Sequence, residues 1–176
     1  SIVQPGPRTH DGVLFKDANP EESKATLQLI NRMISDLGQC EDPLPLEEEL
    51  ALSWQDDMLW WGPHGIGSTF TIERYAKQHA GPIRAAFSDR SGTGHIARLA
   101  EGHYGGFFGW PNFTARHDGG FMGLPKSDDK VEFKVIDIYR RGEGKLAENW
   151  VFIDILSIFY QQDVDILDRN RMIQKG

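Results

Sequence analysis

One carboxylate stands in the middle of the most continuously apolar stretch of the chain. The stretch is ENWVFIDILSIF, residues 148–159, and the carboxylate is Asp154. A buried charge without a partner costs several kcal/mol, so a buried Asp154 needs either a partner or a function. If the stretch is a strand, Trp150, Phe152 and Leu156 share its side, and desolvation there should raise the pKa of the carboxyl group. Such a group suits general acid or base catalysis, so Asp154 is the candidate catalytic residue.

A second carboxylate, Asp137, lies in the preceding apolar segment, KVEFKVIDIYRR, and the turn RGEGK joins the two segments. This order predicts an antiparallel hairpin, in which we take Arg141 to pair with Leu146. Asp137 then lies opposite Trp150, and both carboxylates point to one aromatic side, roughly 13 Å apart along the strands. That separation is too large for sharing a proton. A register slip of one residue would put them on opposite faces.

Aromatic side chains are dense along the chain and could line a hydrophobic pocket. The segment YGGFFGW mixes tiny and large residues, which suits a bent strand around a concave space. An apolar pocket with few polar groups is the usual small-molecule site, although core packing is the better explanation for about half of these aromatics. The candidate substrate-binding residues are Trp61, His79, His95, His103, Phe107, Trp110, Phe121, Asp137 and Trp150.

Other kinds of site find little support. GPHGIG at residues 62–67 lacks the GxGxxG order of a dinucleotide loop, and GEGKL has Leu146 where a phosphate loop needs Ser or Thr. No His-x-x-x-His pair and no His/Cys cluster predicts a metal site. There is no GxSxG elbow, and Cys40 lies in the acidic segment GQCEDP, which disfavours a thiolate. We therefore expect neither a metal nor a cofactor.

Composition indicates a soluble globular protein. The chain has 176 residues, enough for one domain with a sizeable core, and a net charge of -7. This charge argues against binding to nucleic acid or to an anionic membrane surface. There is neither an apolar run long enough to span a membrane nor a secretory signal pattern. The single Cys40 excludes an internal disulfide, and we expect a reducing, cytoplasmic location.

Helix signals occupy the first half of the chain. Residues 1–18 should be an irregular lead-in, and residues 19–176 a single domain. Asn19 can cap a helix that starts at Pro20 and ends at Gly38. A short helix is predicted over residues 43–54 and a short strand over 56–61. A further helix over 68–87, with Ser68 or Thr71 as its cap, should break near residues 81–82, where Gly is followed by Pro.

Strand signals occupy the second half. Four long strands are predicted over residues 94–102, 104–117, 130–141 and 145–159, followed by a closing turn or short helix over 161–172. Strands of this length favour a strongly curved sheet. Helices first and strands later predict an α+β fold, with the N-terminal helices packed on a mostly antiparallel sheet. The last strand is apolar on both faces, so both should be covered, one by helices and the other by a second copy of the chain.

The last hairpin, residues 130–162, resembles the C-terminal hairpin of the SnoaL-like polyketide cyclases and predicted ester cyclases. The segment GGFMGLPKSDDKV also resembles the Gly-x-Pro-x-x-Gly-Lys segment that precedes this hairpin in the family, and the whole resemblance covers about residues 20–170. Two departures are Asp163, where the family has glycine, and Asp128-Asp129, where it has Thr-Gly with one residue fewer. The residues that match the family pattern are Asp137, Arg140, Gly144, Lys145, Glu148, Trp150, Asp154 and Gln162.

The resemblance implies the cone-shaped fold of nuclear transport factor 2-like proteins and, commonly, a homodimer. It further implies that Asp154 acts as general acid and base in an aldol-type ring closure, or in related lyase or isomerase chemistry, on a small hydrophobic carbonyl substrate. The enolate would need a hydrogen-bond donor, for which His95, His103 and the Trp150 indole are alternatives. Two other functions stay open: a non-catalytic small-molecule-binding protein, and a structural protein whose Asp154 is satisfied by backbone or Arg.

Overall fold

A computed structural model gives the structure of the protein, and it describes residues 19–36 and 44–175. The predicted lead-in over residues 1–18, the predicted helix end at Gly38 and the cysteine Cys40 lie outside the described residues.

The helices in the first half of the chain follow the predicted signals with one exception. Asn19 caps the first helix, because its Oδ1 accepts a hydrogen bond from the backbone N–H of Glu21 at 2.9 Å. The exception is the break predicted at Gly81 and Pro82, which is wrong. The described helices are α1 (Pro20–Asp36), α2 (Leu46–Ala51), α3 (Ile72–Tyr75), α4 (Gly81–Ala86), α5 (Ile155–Tyr160) and α6 (Ile166–Lys175), with a π-helical turn over Ala76–Ala80 between α3 and α4.

The π-helical turn explains how the chain passes the proline. Gly81 donates its N–H to the carbonyl of Ala76, five residues back, so the turn is one residue wider than an α-helical turn. Pro82 then falls in the first turn of α4, where its missing N–H leaves no helical hydrogen bond unmade. The helical segment therefore continues past the proline.

The strands form one large curved sheet in the order β2-β1-β7-β6-β5-β3, and β4 also pairs with β5. Only β1 and β7 run parallel, so the expected α+β fold with a mostly antiparallel sheet is confirmed. The short strands β2 and β3 were not predicted. The strands are β1 (Trp54–Trp61), β2 (Ser68–Phe70), β3 (Phe87–Gly92), β4 (Ala97–Glu101), β5 (Tyr104–His117), β6 (Lys130–Arg141) and β7 (Leu146–Ile153).

The last predicted strand is too long. Strand β7 ends at Ile153, and the apolar residues after it form helix α5. Asp154 is the N-cap of this helix, because its Oδ1 accepts a hydrogen bond from the backbone N–H of Ser157 at 3.0 Å. A continuous apolar run fits a buried strand and a short buried helix equally well, so the run alone did not locate this boundary.

The register of the last hairpin differs from the prediction beyond its first pair. Arg141 pairs with Leu146 as predicted, but Arg140 pairs with Glu148, so one extra residue, Ala147, forms a β-bulge. From there on each β6 residue is one position out of the predicted register, and Asp137 pairs with Val151 instead of Trp150. The two faces of β7 are thereby exchanged.

The exchange decides which side chains are buried under the helices. The inner face of the sheet carries Phe133, Asp137 and Tyr139 on β6 together with Asn149 and Val151 on β7, and all of them are buried. Helix α1 adds Leu29, Ile30 and Met33 to the same core cluster, and Ile34 packs against it. The outer face carries alternate residues of the same strands, including the exposed Ile136 and Phe152.

Candidate functional site

A cavity of about 800 Å³ lies between the inner face of the sheet and the helices. Its wall is largely aromatic and aliphatic, with Trp60 on β1, Phe107 on β5 and Phe133 on β6. Polar and charged side chains line the rest of the wall, among them Asp137 and Tyr75. A cavity that combines apolar walls with polar groups is the usual form of a small-molecule site.

Asp137 is the buried carboxylate of this cavity. It lies on β6, where the alternation of the strand turns it inward, and it is paired with Phe107 on β5 and with Val151 on β7. The Nδ2 of Asn149 donates a hydrogen bond to its Oδ1 at 3.0 Å, and the Tyr139 hydroxyl donates a second one. Burial raises the pKa of Asp137 to about 6, although both hydrogen bonds act in the opposite direction.

Two tyrosines lie beside this carboxylate. Burial raises the pKa of Tyr75 above its ordinary value, and the negative charge of Asp137 adds to the effect. The same two causes raise the pKa of Tyr139. Both phenols therefore stay protonated at neutral pH and can donate hydrogen bonds. Because Tyr139 already donates to Asp137, Tyr75 is the phenol that remains for a ligand in the cavity.

Two histidines also line the cavity. The ring of His79 stacks on Trp60 at 4.2 Å, and burial lowers the pKa of His79 to about 4. The ring of His95 stacks on Phe107 at 4.1 Å, and its Nδ1 accepts a hydrogen bond from Arg98 at 2.9 Å. Burial, with the charge of Arg98, lowers the pKa of His95. Neutral imidazoles provide flat walls and hydrogen-bonding groups without adding charge.

An ion pair fixes the helical side of the cavity. Arg84 on α4 lines the cavity and donates two hydrogen bonds to the Glu49 carboxylate on α2, at 3.0 Å and 2.8 Å. Glu49 is buried, so this fork-to-fork pair holds α2 and α4 together over the cavity.

Four of the predicted site residues, His79, His95, Phe107 and Asp137, line this cavity. Asp154 does not. It is half-buried at the start of α5, and the strand position on the cavity wall that the predicted register gave it is wrong, because of the bulge at Ala147 and the end of β7 at Ile153.

The other predicted residues also lie away from the cavity, so the pocket positions expected for them are corrected. Trp61 and Trp150 are neighbours across the parallel pair β1–β7 on the outer face, and the bulge at Ala147 turns Trp150 to that face. Trp110 is 55% exposed beneath the ammonium group of Lys134. His103 is exposed at the turn before β5, and its ring lies 3.7 Å from the Glu22 carboxylate. Phe121 lies in a loop, and its ring packs edge-on against Phe87.

Four residues of the site were missed by sequence reasoning: Tyr75, Tyr139, Asn149 and Arg84. Tyr139 carried a usable signal, because it lies two residues after Asp137 and so must share its face of a strand. Asn149 became recognisable only with the bulge. Tyr75 and Arg84 are brought to the cavity by the folding of the α3–α4 segment over the sheet.

The described residues contain neither a metal-binding cluster nor a membrane-spanning helix. Among residues 19–36 and 44–175, no group of three or more His, Cys, Asp or Glu side chains could hold a metal ion. No helix in the same residues is both long and apolar enough to cross a membrane.

Residues 83–162 match the family model of the SnoaL-like polyketide cyclases. This part of the chain is SnoaL-like. Over these residues the family resemblance predicted from the sequence is confirmed, and the SnoaL-like segment contains Asp137, Tyr139, Asn149 and the bulge at Ala147. The family match supports a role of the cyclase or isomerase type. None of the curated proteins matches the chain at the level of sequence.

Comparison with solved structures shows the fold of the chain. It is similar to AclR, a proposed hydroxylase from Streptomyces galilaeus, with a TM-score of 0.62 and 16% identity over 86% of this chain and 92% of that one. A proposed SnoaL-like polyketide cyclase from Jannaschia sp. CCS1 gives a TM-score of 0.63 and 16% identity, covering 81% and 96% of the two chains. An NTF2-like protein from Burkholderia xenovorans LB400 gives a TM-score of 0.59 and 13% identity, covering 78% of this chain and 95% of that one. The predicted nuclear transport factor 2-like fold is confirmed.

Proposed function

We propose that the protein is a cyclase-type enzyme in which Asp137 is the general acid and base, acting without a cofactor on a small hydrophobic carbonyl substrate. The observation that carries the proposal is the buried Asp137 carboxyl in an apolar cavity of about 800 Å³, with its pKa raised to about 6. A pKa near neutrality lets one carboxyl group take a proton and return it within a catalytic cycle. Asp154 does not line the cavity.

The chemistry follows from the groups around Asp137. Its carboxylate removes a proton from the carbon next to a substrate carbonyl, and an enolate forms. The enolate carbon attacks a second carbonyl group of the same molecule, so a carbon–carbon bond forms and the ring closes. The protonated Asp137 then gives its proton to the alkoxide that results. Asn149 and Tyr139 donate to the carboxylate and hold its orientation through both proton transfers.

We assign the stabilisation of the enolate oxygen to the Tyr75 hydroxyl. Tyr75 lines the cavity and lies near enough to Asp137 for the carboxylate charge to raise its pKa. A neutral phenol held in an apolar wall is a strong donor to a developing oxyanion. His79 and His95 line the same cavity, and we assign them to the wall around the substrate, where they stack on aromatic rings.

Exchange of a carbon-bound proton for deuterium tests the proposal without knowledge of the natural substrate. A bicyclic aryl ketone such as a tetralone is incubated with the protein in deuterium oxide, and deuterium next to the carbonyl is followed by NMR. Asp137→Asn should abolish the catalysed exchange. Asp154→Asn is the matched control, because it removes a carboxylate from the same segment and keeps a good N-cap, and it should leave exchange unchanged.

Three outcomes separate the candidate functions. Loss of exchange in Asp154→Asn with retention in Asp137→Asn would overturn the assignment and restore the carboxylate predicted from the sequence. Saturable binding of ketones by the wild type with no exchange for any of them would favour a non-catalytic ligand-binding protein. Loss in Asp137→Asn alone supports the enzyme proposed here.

We also propose a homodimer that buries the outer face of the sheet. Phe108, Ile136 and Phe152 form one apolar row across β5, β6 and β7, and Ile138 and Trp150 form the next row. Phe152 is 60% exposed, which is unusual for a phenylalanine in the centre of a sheet. Light scattering should give twice the mass of one chain, and Phe152→Glu should halve it; a wild-type monomer would refute the dimer.

A cytoplasmic location is proposed on the ground that the chain has one cysteine, Cys40. Fractionation of the native host should then find the protein with the cytoplasmic enzymes, and recovery from a secreted fraction would contradict it.

A further inference from the structure

An amide oxygen without a hydrogen-bond donor is buried in the cavity wall. Asn112 on β5 is 6% exposed and lines the cavity, and its Oδ1 has no hydrogen-bond partner among the described residues. Buried polar atoms are almost always paired, so an unpaired one on a residue that lines a cavity marks a place where a ligand can supply the missing partner.

The position of this oxygen is set by a glycine. A Cβ atom built on Gly109 would lie 2.5 Å from the Asn112 Oδ1, so the amide occupies the space that any other residue at position 109 would fill. Gly109 pairs with Val135 on β6, which is two residues from Asp137 on the same inner face. The Asn112 amide therefore lies roughly 7 Å along the sheet from the level of Asp137.

The rest of Asn112 is held in place. Its backbone carbonyl accepts a hydrogen bond from the N–H of Thr93 at 3.0 Å, which ties this part of β5 to the segment after β3. The next residue, Phe113, stacks on Phe133 at 4.5 Å in the cavity wall. A fixed backbone with a free side-chain oxygen is suited to recognising a ligand, because little ordering is needed when the ligand binds.

We propose that Asn112 Oδ1 accepts a hydrogen bond from a hydroxyl group of the substrate. The substrate would then be a hydroxylated hydrophobic ketone, with its reacting carbon at Asp137 and its hydroxyl about one aromatic ring away. The inference rests on the proposed function, since it assigns a second contact to the ligand of the same cavity. A site built to pair with a hydroxyl group rejects the analogue that lacks it, so Asn112 acts as a specificity-determining residue.

Two small ketones that differ in one donor provide the test. Para-hydroxyacetophenone can donate to Asn112, whereas para-methoxyacetophenone has an oxygen in the same place and no donor. Both are titrated at mildly acidic pH, and binding is followed by tryptophan fluorescence, since Trp60 lies in the cavity wall. The wild type should bind the hydroxy compound about threefold to tenfold more tightly, the range expected for one neutral hydrogen bond.

Two variants locate the preference. Asn112→Leu, which has a similar volume and no acceptor, should bind both probes equally. Asn112→Asp keeps an acceptor in the same place and should keep the preference. Binding of the methoxy probe within about twofold of the wild type, together with an unchanged circular dichroism spectrum, shows that the variants are folded. Equal binding by the wild type, an unchanged preference in Asn112→Leu, or no binding of either probe to the wild type would overturn the proposal.

The same titrations in Asp137→Asn separate this inference from the proposed function. The hydroxyl preference should persist in that variant, because the hydrogen bond to Asn112 needs no proton transfer. A persistent preference together with retained deuterium exchange in Asp137→Asn would refute the catalytic role and leave the role of Asn112 intact. Loss of deuterium exchange in Asp137→Asn, with no hydroxyl preference in the wild type, would refute the role of Asn112 and leave the catalytic role of Asp137 intact.

Discussion

Replacing Asp137 by Asn should stabilise the protein at neutral pH while removing its proposed activity. Burial raises the pKa of Asp137 from 3.8 to about 6 in the folded state. Between these values the folded state binds more protons than the unfolded state, so the free energy of unfolding falls as the pH rises. Above pH 6 the free energy of unfolding of the wild type is about 3 kcal/mol lower than at acidic pH, because each pKa unit corresponds to 1.36 kcal/mol. An amide at this position carries no such cost.

Urea unfolding at two pH values measures this difference. At neutral pH, Asp137→Asn should be more stable than the wild type by up to about 3 kcal/mol, or about 6–12 °C in Tm for a chain of this size. Near pH 4 the two proteins should agree closely, because the carboxyl group is then protonated in the folded wild type. The amide can still accept from Asn149 and Tyr139, so the local hydrogen bonds survive.

The comparison with Asp154→Asn isolates the effect of burial. That change also removes one carboxylate, but at a half-buried helix cap where Asn serves equally well, so its effect on stability should be small at both pH values. Equal stability of Asp137→Asn and the wild type at neutral pH, or a difference of the same size near pH 4, would refute the argument that Asp137 is held in the cavity at a cost in free energy.

Three further predictions concern the site and its support. The deuterium exchange rate should rise about tenfold per pH unit below pH 6 and level off above it, because Asp137 acts as a base only when deprotonated; a flat pH profile would contradict this. Tyr75→Phe should lower the deuterium exchange rate about tenfold to a hundredfold and keep the ketone affinity within about twofold of the wild type. Equal losses of exchange rate and ketone affinity would indicate a binding role for Tyr75 instead. Gly106→Ala should destabilise the protein by about 1–3 kcal/mol in urea unfolding, because the new methyl group would press on the carbonyl oxygen of Asp137, and an unchanged midpoint would show that β5 yields there.

The fold could be predicted from the sequence to a large extent, because its signals are local. The cap at Asn19, the helical spacing that follows it and the glycine-marked hairpin between β6 and β7 each act over a few residues, and each was found where predicted. Strand β3 could not be predicted. Its sequence, FSDRSG, is polar and exposed after the first residue, and it becomes a strand by pairing with β5, which lies more than twenty residues further along.

The site could be predicted only in part, because one inserted residue decides it. Composition and resemblance led to an aromatic cavity with an aspartate, and Asp137, Phe107, His79 and His95 do line the cavity. The choice between two aspartates depended on the register of one hairpin. A bulge at Ala147 has no composition of its own, since an alanine fits a regular strand equally well. Sequence periodicity therefore could not show that the faces of β7 are exchanged.

The exchanged faces of β7 link the cavity to the outer face of the sheet. With the predicted register, Trp150 would face the helices opposite Asp137, and the position next to the carboxylate would hold an indole instead of Val151. The bulge instead turns Asn149 inward as a hydrogen-bond donor to Asp137 and turns Trp150 and Phe152 outward. The donor that orients the proposed catalytic carboxylate and the apolar row that we expect to form a dimer thus depend on the same extra residue. A change that removed the bulge would disturb both the hydrogen bond to Asp137 and the outer apolar row. This double constraint explains how β7 can be apolar on both faces and still have a single register.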